Sequence, residues 1–288
     1  MFNRIISVDW SGAGTESDGV DLRIAVFDAD KSEAVIVDRP YQKRTVVSWS
    51  REAFRSWIVE QLQDKRPTIV AMDFGFGLPW GSDQALFGVN GWREMIRSIA
   101  KKYEKNGTAR STAQAINAEG QFGGHGPFRF DDSRNDFRFY MEKGVAYYRL
   151  TELIAPQGIS QWYLGSGGTV GFHTISGLAA INYLIEQRDA KHLDFEVWPH
   201  ETLKPTGTKH VLVESYPAVC ASPEDFGPCR ANDQNQKDAW KVLQALKKSR
   251  NDGRLGDLFQ IKEQPFGRIT NVEFKNQIQF EGFILGMN

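Results

Sequence analysis

The sequence predicts an α/β fold with a mixed sheet, from the order and length of its apolar segments. Three short strand-like segments joined by short links come first, which predicts an antiparallel meander at 4–11, 21–29 and 33–39. A helix-like segment follows, and then the apolar segment TIVAMDF at 68–74, which is typical of a strand buried on both faces. Three strands, a helix and a strand in this order begin an α/β fold.

Side-chain spacing and capping residues support these first elements. In the second strand, alternate positions carry apolar residues that fall on one face, namely Leu22, Ile24 and Val26. The helix can begin at Ser48 or Ser50, because a serine side chain caps a helix N-terminus well. Pro67 stops that helix before the fourth strand.

The middle of the chain predicts a large, mostly helical insertion at about 80–190. Helical character is found at 91–105, 136–153 and 174–187. The stretch from Asn106 to Gly126 shows little periodicity, and the glycine-rich QFGGHGPFRFDD at 121–132 predicts a loop.

Two further strands, a helix and an ambiguous tail complete the chain. The strand candidates lie at 195–200 and 210–216, and a helix is predicted near 236–248. The tail at 272–286 fits a strand or a helix. We therefore expect a single domain over 1–288, with the insertion lying between strands four and five.

Composition limits the classes of protein that this chain can be. It has 288 residues, 41% of them hydrophobic, which is ample for a full core. Its 35 Lys and Arg residues nearly balance 36 Asp and Glu residues, so the net charge is −1. A protein that coats nucleic acid usually carries a basic excess, so contact with nucleic acid has to come from a local patch.

The two cysteines and the apolar segments predict a cytoplasmic protein. Cys220 and Cys229 stand nine positions apart, which fits neither a zinc site nor a disulfide scaffold. The first residues lead directly into a strand-like segment without the pattern of a secretory leader. No stretch approaches the roughly 20 apolar residues of a membrane span.

Four separated carboxylates are the clearest chemical signal in the sequence. Asp9 and Asp73 each follow an apolar strand and precede a small-residue turn, Glu214 follows the apolar segment 211–213, and Asp238 opens the last predicted helix. Open α/β sheets place their sites where strand ends converge. Acids that meet there without matching bases repel one another, and a divalent metal relieves that repulsion. Oxygen ligands alone favour Mg²⁺ or Mn²⁺ over zinc.

Each of these acids also has an ordinary structural explanation. Asp9 and Asp73 can each cap the turn that follows its strand. Glu214 can form an ion pair at a sheet edge, and Asp238 can be a favourable acid in the first turn of its helix. The prediction of a metal site therefore depends on the set of four rather than on any one of them.

Two glycine- or serine-containing turns predict contacts with phosphate. Ser11 and the glycine after it leave space beside Asp9. Gly167 and Gly168 lie in GSGGTVG at 165–171, where backbone amides near a helix start suit an anion. The segment lacks the Lys-Ser/Thr of a P-loop, and a flexible connector explains it equally well.

Basic residues interleaved with phenylalanine predict a nucleic-acid contact within the insertion. Arg129 and Arg134 are the central members, and the others are Lys101, Lys102, Lys105, Arg110 and Arg138. Charge combined with aromatic stacking suits a nucleic-acid strand. A helix with a solvated charged face explains four of these cations just as well, namely Lys101, Lys102, Lys105 and Arg110.

The order of several motifs resembles a known family. VDWSGAG, MDFGFGLP, VESYPA, the QKDAW helix and the closing EGFILG together resemble a family of predicted RNase H-like nucleases, the domain of unknown function 429. GSGGTVGFHTISGL followed by EVWPHE is similar to the middle of that family. The resemblance spans nearly the whole chain.

The resemblance implies both a fold and an activity. The fold is ribonuclease H-like, a mixed five-stranded sheet with its first three strands antiparallel and helices around it. In such a fold Asp9, Asp73 and Asp238 hold Mg²⁺, and Glu214 lies on the fifth strand facing the same crevice. We therefore expect a metal-dependent phosphodiester hydrolase acting on DNA or RNA, with Glu214 as a ligand or as a base that orients water.

Two other classes of function remain open on the sequence. DWSG after the first strand faintly resembles the phosphate loop of the sugar kinase and actin-like superfamily, which would make the chain an ATP-dependent phosphotransferase. A second copy of the core is needed there, and 288 residues show none. Neutral charge and a long aromatic insertion also suit a non-catalytic binding module, in which metal has no effect on stability.

Overall fold

Six strands form one mixed sheet in the computed structural model of the chain. The structure describes residues 2–37, 49–119, 122, 126–130, 137–155, 158–165, 170–220, 234–262 and 270–287. The strands are β1 (Arg4–Asp9), β2 (Arg23–Asp28), β3 (Glu33–Ile36), β4 (Thr68–Met72), β5 (Phe195–Val197) and β6 (His210–Glu214). Their order across the sheet is β3-β2-β1-β4-β6-β5.

Strand directions confirm the mixed sheet and correct its size. β1, β2 and β3 are antiparallel neighbours, as expected, whereas β4, β6 and β5 all run parallel to β1. The expected count of five strands is wrong, because the described residues form six. The count of five came from the resemblance, whereas the strand candidate at 195–200 is present as the three-residue β5, which pairs with the outer edge of β6. Glu214 therefore ends the sixth strand along the chain, and that strand lies next to β4 in the sheet.

Ten helices lie within the described residues. They are α1 (Arg51–Leu62), α2 (Ser82–Phe87), α3 (Trp92–Asn106), α4 (Ala109–Glu119), α5 (Phe137–Glu142), α6 (Leu150–Ile154), α7 (Gly171–Lys191), α8 (Pro217–Cys220), α9 (Gln234–Asn251) and α10 (Asn271–Glu281). A short 3-10 helix covers Leu255–Phe259. The ambiguous tail is thus helical up to Glu281.

The middle of the chain differs from its sequence patterns in two places. The stretch from Asn106, where the sequence shows little periodicity, contains α4, whose buried face is made of small and polar residues with one isoleucine, namely Ala109, Thr112, Ala113, Ile116 and Asn117. Such a face has helical spacing but little hydrophobic contrast. The single helix predicted over 136–153 is instead the two short helices α5 and α6. The chain turns between them at Gly144, whose φ of 71° is a left-handed conformation that favours glycine.

The first helix shows why its start was predictable. The Ser50 hydroxyl accepts a hydrogen bond from the Ala53 amide at 3.1 Å, which satisfies one of the free amides of the first turn. Ser48, the other candidate cap, lies outside the described residues. The helix ends at Leu62, ahead of Pro67, as expected.

Helices cover both faces of the sheet. On one face α1, α3 and α7 pack in a core with Val8, Val70 and Leu212. On the other face α9 and α10 pack over Ile69 and Val211. Since α3 and α7 supply much of the first layer, the segment predicted as an insertion is part of the main hydrophobic core.

In the described part of the chain, no helix combines the length and the apolar composition that crossing a bilayer requires.

Candidate functional site

Asp9 and Asp73 lie side by side where two parallel strands end. β1 and β4 are in parallel register with Val8 opposite Met72, and the Asp73 amide donates to the Val8 carbonyl oxygen at 3.0 Å. Val8 and Met72 both belong to the core under α7. Because side chains alternate along a strand, Asp9 lies on the opposite face, the one covered by α9. The predicted proximity of these two acids is therefore present.

Asp73 is an acid in an unfavourable environment for a charge. Burial, followed by the negative charges of Asp238 and Glu214, raises its pKa from 3.8 to about 7. Among the described residues, no hydrogen bond or cation stabilises its carboxylate. Asp73 is therefore a half-buried carboxylate that is poised to gain a cation or a hydrogen-bond donor.

Asp238 approaches the same region from α9. This helix starts at Gln234, so the prediction that Asp238 opens it is wrong by one turn. α9 packs on β1 and β2, and the charge of Asp238 contributes to the raised pKa of Asp73. Both Asp238 carboxylate oxygens accept hydrogen bonds from Gln234 Nε2, at 3.1 Å each. The side chain is partly exposed, which leaves it accessible to a ligand.

Glu214 has different surroundings from the other three acids. It is almost fully buried, and Arg149 donates to its two carboxylate oxygens at 2.8 and 2.7 Å. The Phe76 amide donates to Oε2 at 2.9 Å. A carboxylate held in this way already has a cation partner, so the expected alternative of an ion pair describes the contacts of Glu214 better than a metal ligand does, although β6 is an inner strand and not a sheet edge.

Arg149 is the centre of a buried polar network that the sequence did not predict. Besides Glu214, it binds Glu152 through Nε at 2.6 Å and the Glu281 carbonyl oxygen through Nη1 at 3.1 Å. The Glu281 carboxylate accepts hydrogen bonds from the amides of Trp80 and Leu150, both at 2.8 Å.

All three glutamates of this network accept hydrogen bonds from Arg149. Glu152 and Glu214 do so through their carboxylates, and Glu281 does so through its backbone carbonyl oxygen. Burial lowers the pKa of Arg149, but the charges of Glu152 and Glu214 outweigh burial and raise it. Burial raises the pKa of Glu281 to about 7 and also raises that of Glu152. The only sequence signal for this network was the i,i+3 pair of Arg149 and Glu152, which is common on solvated helices.

Ser11 lies in a loop that a buried arginine holds by its carbonyl groups. Arg51, the first residue of α1, donates from Nη1 to the carbonyl oxygens of Ser11 and Ala13, at 2.7 Å each. Ser11 is buried, and its hydroxyl accepts a long hydrogen bond from the Ala13 amide at 3.4 Å. The serine thus has a structural role within its own turn.

Gly12 allows the same loop to touch the start of α7. A Cβ atom at this position would lie 2.3 Å from the carbonyl carbon of Phe172, so only glycine allows this approach. The loop after β1 is therefore fixed against the helix that follows the GSGGTVG segment. Gly167 and Gly168 of that segment lie outside the described residues.

Arg129 is not the exposed cation that the sequence predicted. It is 8% exposed, its Nη2 donates to the Tyr147 hydroxyl, and its guanidinium carbon lies 5.4 Å from the centre of that ring. A guanidinium held in this way stabilises the packing of the insertion. Arg134, its predicted companion, lies outside the described residues.

A narrow pocket opens at the carboxyl ends of β4 and β6. Asp73 lies on its wall together with Arg149, Glu152 and Glu214, and Ser215 follows directly after β6. Asp9 and Asp238 do not line it. The four predicted acids thus divide into Asp9, Asp73 and Asp238 towards α9, and Glu214 in the pocket.

The chain matches no protein-family model, no curated protein and no solved structure.

Asp73 and the neighbouring Asp9 fit a hard cation that takes few protein ligands. Within the described residues, no group of three or more His, Cys, Asp and Glu side chains is arranged to hold a metal, so the predicted four-acid set is not a preformed cage. Mg²⁺ typically keeps several waters and uses only one or two carboxylates together with substrate phosphates. The unsatisfied Asp73 carboxylate beside Asp9 fits that mode of binding.

Proposed function

We propose that the protein is a metal-dependent phosphodiester hydrolase acting on nucleic acid, with the ribonuclease H-like arrangement that its motifs resemble. The observation that carries the proposal is Asp73. Its carboxylate has no stabilising partner among the described residues, it follows β4 beside the end of β1, and its pKa is raised to about 7. Perturbed acids at the ends of parallel strands are typical of functional sites.

Three side chains would hold Mg²⁺ or Mn²⁺ in this proposal. Asp73 and Asp9 lie at adjacent strand ends, and Asp238 faces Asp73 from α9. When bound, the ion supplies activation of a water molecule and neutralisation of charge on the phosphodiester. Asp9 and Asp73 would bind the ion and fix its position. The partly exposed Asp238 would complete the set of ligands when substrate is present.

Glu214 has a changed role in the proposal. Because Arg149 holds both of its oxygens, we assign it to the wall of the site rather than to the ligands. Its negative charge adds to that of Asp238 in raising the pKa of Asp73, and so favours capture of a cation there.

The choice of nucleic acid as substrate rests on the resemblance and on the chemistry of the carboxylates. The balanced net charge and the burial of Arg129 give little support for broad coating of a duplex. We therefore expect a cytoplasmic hydrolase that meets its DNA or RNA substrate mainly at the metal centre.

The test compares Mn²⁺-dependent cleavage of single-stranded and double-stranded DNA and RNA by three variants. Asp9→Asn and Asp73→Asn should each lose at least about a hundredfold in rate, because both carboxylates would hold the ion that activates water and neutralises charge on the phosphodiester. Asp194→Asn is the matched control, since Asp194 precedes β5 at the opposite, amino end of the parallel strands, and it should cleave normally. Undiminished cleavage by folded Asp9→Asn and Asp73→Asn proteins would overturn the proposal.

A further inference from the structure

Arg110 is an exposed cation that two aromatic rings hold in place. It lies on α4, and its guanidinium carbon is 5.1 Å from the centre of the Phe130 ring and 5.2 Å from that of Phe172. The two ring centres are 6.2 Å apart, and their planes are inclined at 49°. Both rings are half-buried, so cation–π attraction fixes the guanidinium over a firm support. We call these three residues the Arg110 cluster.

The donor groups of Arg110 are not used by the protein. Within the part of the chain that the structure describes, Arg110 forms no ion pair with a carboxylate and donates no hydrogen bond. Lys102, another member of the predicted basic set, is in contrast paired with Glu119, and Arg129 is buried against Tyr147. A guanidinium that is already fixed in position but lacks an anion loses little side-chain entropy when it binds one.

The Arg110 cluster lies beside the loop that follows Asp9. Phe172 is the second residue of α7, and its carbonyl carbon is the atom that a Cβ at Gly12 would meet at 2.3 Å. Gly12 follows shortly after Asp9, which ends β1. The support of the guanidinium is therefore attached to the carboxyl end of the strand that carries one of the proposed metal ligands.

A planar cation on an aromatic support has the chemistry that binds an unpaired nucleotide. An unpaired base can stack on the plane of an arginine, while the N–H groups at the edge of the guanidinium donate to a phosphate. Stacking of this kind tolerates any sequence, because every base has a π-face. In a duplex the base faces are covered by their neighbours, so a duplex offers Arg110 only its phosphates.

We propose that the Arg110 cluster binds a base and its phosphate in a single-stranded segment of the substrate, next to the metal centre. The inference rests on the proposed function and deepens it, because it names single-stranded nucleic acid as the substrate class. A strand whose scissile phosphate lies at Asp9 and Asp73 would run along the loop after β1 and stack on Arg110. The balanced net charge of the chain agrees with a contact that uses one cation together with stacking.

The direct test measures binding in the presence of EDTA, so it needs neither metal nor cleavage. A fluorescently labelled oligonucleotide of about 12 nucleotides is titrated with the full chain and followed by anisotropy, first single-stranded and then annealed to its complement. The single strand should bind at least about fivefold more tightly than the duplex, because only its bases can stack. Equal affinity of the two forms, or no binding of the single strand, would overturn the inference.

Arg110→Lys separates stacking from charge. This variant keeps the cation and loses the planar group, so it should weaken single-strand binding at least about fivefold without changing its dependence on salt. Arg110→Ala also loses the charge, and the slope of log affinity against log salt concentration should fall in magnitude by about 0.7. Binding of the single strand by Arg110→Lys with the affinity of the parent would show that charge alone acts there, and would overturn the inference.

Two further variants locate the effect in the Arg110 cluster. Phe130→Leu should weaken single-strand binding and leave the salt dependence unchanged, because it removes one of the rings that support the guanidinium. Arg254→Lys is the matched control, since Arg254 is an exposed arginine that follows α9 on the opposite face of the sheet, and it should bind like the parent. Equal losses for Arg254→Lys and Arg110→Lys would contradict a site at Arg110.

The outcomes for the two proposals are separable. Single-strand binding that depends on Arg110, without Mn²⁺-dependent cleavage, would retain the Arg110 cluster as a binding site and reject the hydrolase. Cleavage by a protein whose single-strand binding is unaffected by Arg110→Lys would retain the hydrolase and reject the binding site.

Discussion

Two aspartates of this chain have pKa values shifted in opposite directions by their neighbours. Burial and the charges of Asp238 and Glu214 raise the pKa of Asp73 to about 7. A hydrogen bond from Arg66 lowers the pKa of Asp64 to about 2, even though partial burial opposes it. The same residue type is thus destabilised as an anion directly after β4 and stabilised as an anion shortly before the same strand.

The pH dependence of stability should separate these two residues. Below about pH 4 Asp73 is protonated in both the folded and the unfolded chain, and as pH rises to about 7 only the unfolded chain ionises, so the folded state loses stability. Asp73→Asn should therefore be more stable than the parent by roughly 2–4 kcal/mol at pH 8 and about equal to it at pH 4. Urea unfolding at the two pH values measures this difference.

Asp64→Asn is the control of opposite sign. The folded pKa of Asp64 is depressed, so its ion pair contributes stability above about pH 4, and that stability is lost as pH falls towards 2. The substitution should destabilise the protein at pH 8. If Asp73→Asn also destabilises the protein at pH 8, the Asp73 carboxylate of the parent has a stabilising partner, which contradicts the contacts described above.

At the scale of elements, the N-terminus of α6 is fastened to β6 and α10 through Arg149. The side chain is 1% exposed and is bound to Glu152, Glu214 and the backbone of Glu281. Its removal would leave two buried carboxylates without their cation. Breaking a buried pair from one side is much more costly than replacing all its members.

Arg149→Met should accordingly destabilise the protein by about 3–5 kcal/mol. The triple variant Arg149→Met, Glu152→Gln, Glu214→Gln should recover a large part of that loss, because no buried charge is left unpaired. Arg254→Met removes an exposed pair with Asp252 and should leave the free energy of unfolding nearly unchanged. If Arg149→Met and the triple variant lose the same free energy of unfolding, the loss comes from the packing of the Arg149 side chain rather than from unpaired charge.

Sequence patterns succeeded for the elements whose buried faces are strongly apolar. β4 and α1 were predictable from their hydrophobic residues and from Ser50, whereas α4 was missed because its buried face is largely alanine, threonine and asparagine. The pairing of Asp9 with Asp73 followed from two strands ending in the same crevice. The ion pair between Glu214 and Arg149 was not predictable, because the two residues are 65 positions apart in the chain and no local sequence pattern indicates such a contact.

At the scale of the whole molecule, one sheet separates two cores, and the proposed metal centre lies at the carboxyl ends of its parallel strands. A ligand that binds only the folded chain stabilises all of it in proportion to the logarithm of its concentration. A carboxylate centre with few protein ligands predicts weak but measurable metal binding before substrate arrives.

Mn²⁺ should raise the melting temperature in a concentration-dependent way. At a hundred times its dissociation constant, the ion should add about 2.7 kcal/mol to the free energy of unfolding. Asp9→Asn should abolish the increase and Asp194→Asn should keep it. The measurement is a thermal melt in a series of Mn²⁺ concentrations, and an identical rise in Asp9→Asn would place the ion elsewhere.

The hydrogen bonds of Arg149 also bear on when the site can exist during synthesis. They join residues near 149, 214 and 281, so the wall of the pocket is incomplete until the segment around Glu281 is available. A ribosome makes these segments in that order, at about 5–20 residues per second. The roughly 200 residues between Asp73 and Glu281 take about 10–40 s to make at that rate, so we expect the nascent chain to carry Asp9 and Asp73 for that time beside an incomplete pocket wall.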